Sequence, residues 1–111
     1  MQEITTKELK ELVHTKAKFI LLDCRSFEYY DTEHISGAIN LRWKNVPEQA
    51  EKLLPDKNVL IVTYCGGITC DASIKCFQNL KQLGYTNLRE YSGGLAEWKV
   101  SGYSTVKGIT V

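Results

Sequence analysis

NVLIVTYCGGITCDAS (residues 58–73) places a continuous run of apolar and β-branched residues directly before a cysteine and two glycines. Such a run predicts a strand that is buried on both faces. From Asp71 to Leu83, apolar side chains recur on one face at helical spacing, and Gly84 follows in a C-cap position. The stretch therefore predicts a buried strand, a loop that begins at Cys65, and a helix.

The rest of the chain alternates between strand and helix patterns. Thr5 and Glu8 form a capping-box pattern before a helix near 6–15, and FILLDC (19–24) is typical of a buried strand. The remaining elements are a helical turn near 27–30, strands at 37–41 and 88–91, a helix capped by Asn45 with Glu48 and ended by Pro55, and a short helix carrying Leu95 and Trp98. This alternation predicts one α/β domain over residues 1–111, a three-layer sandwich with a mostly parallel central sheet.

Composition excludes several classes of function. The 111 residues include 14 basic and 13 acidic side chains, and no lysine or arginine run stands out, so a nucleic-acid or membrane-surface role has no support. The N-terminus is polar, and no apolar stretch is long enough for a signal peptide or a transmembrane helix. Four cysteines without an export signal indicate a reducing compartment, and we expect a cytoplasmic protein.

The loop after the 58–64 strand has the features of an anion site. In parallel sheets, ligands bind beyond the carboxyl ends of the strands, where Cys65 lies. Gly66 and Gly67 allow close backbone approach, and free amides near a helix start bind anions and lower the pKa of a thiol. We therefore expect Cys65 to be ionised and exposed. Position alone leaves open a nucleophile, half of a disulfide, a metal ligand or a core residue.

Three segments in order resemble the rhodanese (sulfurtransferase) family. They are LLDCRSFEYYDTEHISGAINL (21–41), VLIVTYC (59–65) and LKQLGYTNLREYSGGLAEWKVSGYS (80–104). The resemblance implies a small parallel-sheet domain whose loop cysteine, here Cys65, accepts a sulfane sulfur and holds it as a persulfide. The donor would be thiosulfate, a polysulfide or a persulfide, and the acceptor a thiol or a protein. No cofactor is implied, because the cysteine carries the transferred atom.

The loop departs from the family pattern, in which an arginine opens the following helix. That position falls on Cys70, or on Ala72 if the loop is two residues longer, and no arginine or lysine lies between Cys65 and Ser73. A phosphatase or arsenate reductase is disfavoured, because its transition state needs a guanidinium clamp. Thiosulfate also loses a bidentate partner. Arg25 either supplies positive potential or forms a structural ion pair with Asp23 or Glu28.

Cys70 introduces redox chemistry as an alternative. A second thiolate attacks a persulfide if the sulfurs line up, which would release the outer sulfur and leave a Cys65–Cys70 disulfide; otherwise Cys70 is a core or capping residue. The cysteine spacings do not match zinc modules, and Cys76 falls on the apolar face of its helix, so we predict no metal site. A thioredoxin-type Cys-x-x-Cys is also absent.

Other candidates have structural explanations. Cys24, at the end of a predicted strand, is expected in the core. His34 is a possible general base, but the resemblance places it in a turn-forming segment, where a supporting role is expected. Trp43 and Trp98 are expected to pack, although an exposed Trp43 would be able to contact a partner.

The sequence therefore predicts a sulfurtransferase in which Cys65 is the nucleophile and Cys70 a second reactive thiol. The predicted substrate-binding residues are Gly66, Gly67, Ile68, Thr69 and Asp71, whose backbone amides would stabilise the thiolate, together with Arg25. The alternative is a catalytically weak rhodanese module that acts as a redox sensor or protein-binding domain by cycling Cys65 and Cys70 between thiols and disulfide.

Overall fold

The computed structural model describes residues 2–67 and 70–108. The helices are α1 (Thr6–His14), α2 (Phe27–Thr32), α3 (Val46–Leu53), α4 (Ala72–Gln82) and α5 (Gly94–Val100), with a single 3-10 turn (Trp43–Asn45) before α3. The strands are β1 (Phe19–Asp23), β2 (His34–Ile35), β3 (Ile39–Asn40), β4 (Leu60–Tyr64), β5 (Leu88–Tyr91) and β6 (Thr105–Val106). The predicted helices and strands occur in the predicted order, and β2 and β6 are additional to them.

The central sheet is parallel and has the strand order β3-β1-β4-β5. β4 lies inside it, with Leu21 of β1 beside Val62 on one side and Tyr91 of β5 beside Tyr64 on the other. Helices also cover both faces of the sheet, which explains why the run in β4 is almost wholly apolar. All carboxyl ends of this sheet meet at one edge, and Cys65 follows β4 at that edge.

Each face of the sheet has its own core, so the predicted three-layer arrangement is confirmed. On one face, Leu22 and Ile61 pack with Ala50 of α3 and Leu80 of α4. On the other face, the alternate strand residues Leu21 and Val62 pack against α1 and α5. The helix residues of this second core include Leu9, Leu95 and Trp98. The period-two alternation of strand side chains therefore divides the apolar residues between two helix layers.

The ends of the elements differ from the prediction in places. Thr5 and Glu8 form the predicted capping box, with the Glu8 amide donating to Thr5 Oγ1 at 3.1 Å. Asn45 is the N-cap of α3, but its side chain makes no capping hydrogen bond, because the 3-10 turn already leads the backbone into the helix. Gly84 has the expected left-handed backbone, with φ of 96°.

A second small sheet was not predicted. β2 and β6 pair in antiparallel fashion, with His34 beside Val106 and Ile35 beside Thr105. Two-residue strands carry no periodic pattern, so the sequence gives no signal for them. Within residues 2–67 and 70–108, no helix combines the length and apolar character that a bilayer crossing requires.

Candidate active site

Cys65 lies at the carboxyl end of β4, but it is neither exposed nor ionised as the sequence predicted. Its exposed fraction is 2%. Burial raises the pKa of the thiol, the neighbouring Cys70 side chain raises it further, and the amide and hydroxyl of Ser73 oppose these effects. Both parts of the expectation are therefore wrong, because Cys65 is buried at the end of β4 and the described loop residues supply no basic side chain.

The partners of the sulfur also differ from the expected cradle of amides from 66–71. The Sγ atom donates to the carbonyl oxygen of Cys70 at 3.2 Å and lies 3.9 Å from that of Gly67. The Ser73 hydroxyl lies 3.6 Å from the same sulfur. Carbonyl acceptors hold the protonated thiol, whereas the Ser73 amide favours the thiolate.

The loop backbone is held by the start of α5. The Leu95 and Ala96 amides donate to the carbonyl oxygens of Cys65 and Gly66, each at 2.9 Å. This contact requires a glycine at position 94, where φ is 62° and an added Cβ would lie 2.4 Å from the Cys65 carbonyl oxygen. A Cβ at Gly66, by contrast, would meet nothing within 4 Å. Gly94, rather than the loop glycine, is the residue that close backbone approach requires.

The predicted substrate-binding residues have different surroundings. Ile68 and Thr69 lie outside the described residues. Asp71 precedes α4 as its N-cap without a side-chain capping bond, and its exposed carboxylate pairs with Lys75 at 3.4 Å. Gly66 and Gly67 flank the thiol, and the backbone of Gly67 accepts from the Cys70 amide at 3.1 Å.

Arg25 forms the structural ion pair that was one of its two predicted roles. Its Nη2 lies 2.7 Å from Asp23 Oδ2, and the same nitrogen donates to the Glu33 carbonyl oxygen at 2.6 Å. The Tyr64 hydroxyl donates to Asp23 as well, at 2.9 Å. The partner is Asp23 and not Glu28, and most of the guanidinium charge is neutralised there.

A pocket of about 400 Å³ opens beside the thiol loop. We call it the arginine pocket; residues that line it include Arg25, Tyr29, Arg42, Trp43, Gly66 and Cys70. Arg42 is exposed, and sequence reasoning missed it. Lys75 and Lys44 lie over the Trp43 ring, with their Nζ atoms 4.5 and 5.6 Å from the ring centroid. Positive charge therefore surrounds the pocket, although none lies in the described part of the loop.

The remaining cysteines and His34 have structural surroundings. Cys24 and Cys76 are fully buried in the core on the α4 face of the sheet, as predicted for Cys24. All the cysteines, including the partly exposed Cys70, are free thiols. His34 is buried and stacked on Tyr30 at 3.7 Å. Among residues 2–67 and 70–108, no group of three or more His, Cys, Asp and Glu side chains is arranged to hold a metal ion.

Comparison with known proteins identifies the class of domain. A family model described as "Rhodanese-like domain" matches residues 5–101. Thiosulfate sulfurtransferase PspE from Escherichia coli is 37% identical over 76 residues, which cover 68% of this chain and 70% of that protein. Thiosulfate sulfurtransferase GlpE from Coxiella burnetii is 31% identical over 98 residues, covering 88% of this chain and 87% of the relative.

Solved structures agree with the fold. The BH2092 protein from Bacillus halodurans superposes with a TM-score of 0.88 at 27% identity, covering 96% of this chain and 77% of that one. An Escherichia coli structure described as a rhodanese with anions superposes with a TM-score of 0.66 at 36% identity, covering 80% of this chain and 98% of that one.

Substitution of Gly94 by alanine is expected to lower the free energy of unfolding by about 2–3 kcal/mol, because the new Cβ meets backbone atoms and the residue keeps a left-handed φ. Gly66→Ala is the matched control, since its Cβ enters open space, and a loss below about 1 kcal/mol is expected. Urea unfolding monitored by circular dichroism measures both. Equal losses in the two variants would contradict the assignment of the close approach to Gly94.

Proposed function

Because this chain belongs to the family of rhodanese-like domains, whose model matches residues 5–101, we propose that it moves a sulfane sulfur through a persulfide on Cys65. Relatives named thiosulfate sulfurtransferase support this class of reaction. The observation that carries the proposal is the place of Cys65: it ends the central β4 strand, and its neighbours Gly66 and Cys70 line the arginine pocket. A donor in that pocket would contact the loop residues that neighbour Cys65.

The proposed chemistry has two displacement steps. The Cys65 thiolate attacks the sulfane sulfur of the donor, and a Cys65–sulfur bond forms. The bond between the sulfane sulfur and the rest of the donor breaks, and that remainder leaves with the electron pair. A thiosulfate donor leaves as sulfite, and a persulfide donor leaves as a thiolate. An acceptor thiolate then attacks the outer sulfur, and Cys65 leaves as a thiolate that the Ser73 amide stabilises.

The donor class that fits best is an anionic organic persulfide or a polysulfide. The volume of about 400 Å³ lies within the range of small-molecule sites, roughly 300–1,000 Å³. Thiosulfate would fill little of it. The exposed Arg42 is placed to pair with a carboxylate of the donor, and Lys44 and Lys75 around Trp43 add to the positive potential. The acceptor class is a thiol, free or on a protein, and the cytoplasmic location stays a prediction.

Cys65→Ala is expected to abolish sulfur loading. The wild-type chain, incubated with polysulfide and freed of small molecules, should gain the mass of one sulfur atom on the peptide that contains Cys65, as measured by mass spectrometry. Cys76→Ala is a control for thiols in general, because Cys76 is fully buried in the core. Retention of the added sulfur on Cys65→Ala would overturn the assignment of the nucleophile.

Arg42→Gln is expected to raise the KM for an anionic organic persulfide about tenfold while kcat changes little, because a hydrogen bond to a charged group contributes about 1.5–3 kcal/mol. Arg42→Lys retains the charge and should recover part of the loss. Arg89→Gln removes the same charge from β5 and does not line the pocket, so its KM should match the wild type. An unchanged KM in Arg42→Gln would contradict this assignment of the donor site.

A second candidate function is redox cycling between Cys65 and Cys70. One observation favours it: Cys65 Sγ lies 3.2 Å from the Cys70 carbonyl oxygen, and the neighbouring Cys70 thiol raises the pKa of Cys65. In that function Cys70 would attack the inner sulfur of the persulfide, release hydrosulfide, and leave a disulfide between the two residues.

Cys70→Ser distinguishes the two functions. If Cys70 resolves the persulfide, the Ser variant should retain the added sulfur on Cys65 at least several-fold longer than the wild type, because serine cannot form the disulfide. Timed mass spectrometry after removal of the donor measures this lifetime. Equal lifetimes, with no Cys65–Cys70 disulfide in the wild type after mild oxidation, would leave sulfur transfer as the function and exclude the redox role.

A further inference from the structure

A buried carboxyl group lies beneath Cys65 and takes no part in the sulfur-transfer steps. Glu90 is 2% exposed, and its two carboxyl oxygens accept hydrogen bonds from different hydroxyls. Ser73 donates to Oε1 at 2.9 Å and Thr63 donates to Oε2 at 3.1 Å. Both hydroxyl residues are as buried as the carboxyl, with exposures of 1% for Ser73 and 0% for Thr63. An acidic group sealed from water in this way is expensive to keep charged.

The strand geometry places these groups on one face. Thr63 and Glu90 are direct neighbours in the parallel pairing of β4 with β5. Ile61 and Leu88, two residues earlier on each strand, belong to the core on the α4 side of the sheet. Since alternate strand residues share a face, Thr63, Glu90 and then Cys65 point toward α4, which supplies Ser73. The polar cluster is therefore the continuation of that core at the carboxyl edge.

Ser73 connects the carboxyl to the thiol. Its hydroxyl oxygen lies 3.6 Å from Cys65 Sγ and 2.9 Å from Glu90 Oε1. A hydroxyl has one proton and two lone pairs, so it donates to one neighbour while it accepts from the other. Two arrangements follow. In one, the thiol turns its single proton from the Cys70 carbonyl oxygen to Ser73, and Ser73 donates to the carboxylate; in the other, the protonated carboxyl donates to Ser73 and Ser73 donates to the thiolate.

We propose that Glu90 is a positioning residue that takes up the proton of Cys65 through Ser73 when the thiol becomes the attacking thiolate. The Cys65 S–H bond breaks, its proton joins the Ser73 oxygen, and the Ser73 proton joins Glu90 Oε1. The negative charge moves from the carboxylate to the sulfur, no proton enters or leaves the cluster, and no oxidant is needed. The inference rests on the proposed function in taking Cys65 as the attacking thiol.

The electrostatics of the cluster support one shared negative charge. Burial raises the pKa of Glu90, and nearby Glu3 raises it further. The hydrogen bonds from Ser73 and Thr63 lower this pKa but only partly offset the increase. Burial likewise raises the pKa of Cys65. Two negative charges separated by one hydroxyl repel each other, so the second proton leaves at a higher pH than the first.

The other ionisable groups near the cluster do not replace Glu90. Cys70 and Cys24 face the Cys65 side, and Cys70 raises the pKa of Cys65. The Arg25 guanidinium is the charged group of opposite sign on that side, and it is paired with Asp23. Neither thiol reaches Ser73 by a hydrogen bond in the described part of the chain. Glu90 is the carboxyl that the Ser73 hydroxyl contacts.

The pH dependence of Cys65 alkylation tests the proposal. Iodoacetamide reacts with thiolate only, and the modified Cys65 peptide is quantified by mass spectrometry. In the wild type the rate should rise in two steps: first when the cluster loses one proton, above the ordinary carboxyl pKa of 4.5, and again above the ordinary thiol pKa of 9.0. Glu90→Gln should show only the rise at high pH, because this variant has no carboxylate to accept the Cys65 proton.

Ser73→Ala should also remove the first step, since it breaks the connection while Glu90 remains. At pH about 6, both variants should react at least about tenfold more slowly than the wild type, as for loss of a general base. Thr63→Val is the matched control. It removes the other Glu90 partner, so the first step should persist and move to higher pH, because the Thr63 hydrogen bond lowers the pKa of Glu90.

The outcomes separate this proposal from the sulfur-transfer proposal, because alkylation needs no sulfur donor. A one-step profile in the wild type, or a first step that persists in Glu90→Gln or Ser73→Ala, would overturn the relay even if sulfur loading occurs. Circular dichroism confirms that each variant is folded. If Glu90→Gln does not fold, Ser73→Ala and Thr63→Val still decide the question, since each removes one Glu90 partner and only Ser73→Ala also breaks the contact with Cys65.

Discussion

The contact between the start of α5 and the thiol loop is the constraint on which the site depends. Two adjacent amides, of Leu95 and Ala96, hold the carbonyl oxygens of Cys65 and Gly66, and the left-handed backbone of Gly94 allows the two segments to approach. While the α5 contact fixes the loop backbone, the alternation of strand side chains directs Cys65 toward α4. There it meets Ser73 instead of solvent, and the burial that raises its pKa follows from this direction.

Burial changes the chemical problem that the site must solve. A thiol near a cation and exposed to water loses its proton to solvent, and the cation stabilises the thiolate. Here the described loop residues provide no cation, and Cys65 is 2% exposed. A thiolate formed in such a place needs a nearby acceptor for its proton and a donor for its charge. The Ser73 hydroxyl and amide are the groups in contact with the sulfur that meet these needs.

The fold was predictable from the sequence because long patterned elements carry it. β4 is a continuous apolar run and α4 has apolar residues at helical spacing, so the boundary between the two patterns locates Cys65. The antiparallel pair of β2 and β6 was not predictable, since each strand is two residues long. The contact that holds the loop backbone was missed for a related reason: it depends on Gly94, which is distant from Cys65 in sequence. Local loop chemistry alone indicated an exposed anion site.

Two residues of the site, Arg42 and Glu90, were not identified from the sequence because their surroundings come from distant segments. Arg42 follows a short strand with no motif around it, and only the folded chain brings it to the pocket beside the loop. Glu90 lies in LREY, a strand correctly predicted, but the alternation of that strand does not reveal that a carboxyl faces inward. Its burial is tolerated because Thr63 and Ser73 satisfy both oxygens. Partners from three different elements cannot be inferred from one segment.

The positions of Arg42 and Glu90 separate the positive charge that attracts a donor from the group that takes the thiol proton. A loop arginine would attract an anionic donor and stabilise the thiolate at one point, whereas here Arg42 lies at the pocket and Glu90 lies beneath the sulfur. An anionic donor that enters the pocket is repelled by any charge on Cys65, and this repulsion falls with distance. While the proton stays on the thiol, the negative charge of the cluster is on Glu90, which does not line the pocket and is separated from the sulfur by the Ser73 hydroxyl. The charge then reaches the sulfur only as the proton moves through Ser73, so approach of the donor and formation of the nucleophile do not oppose each other.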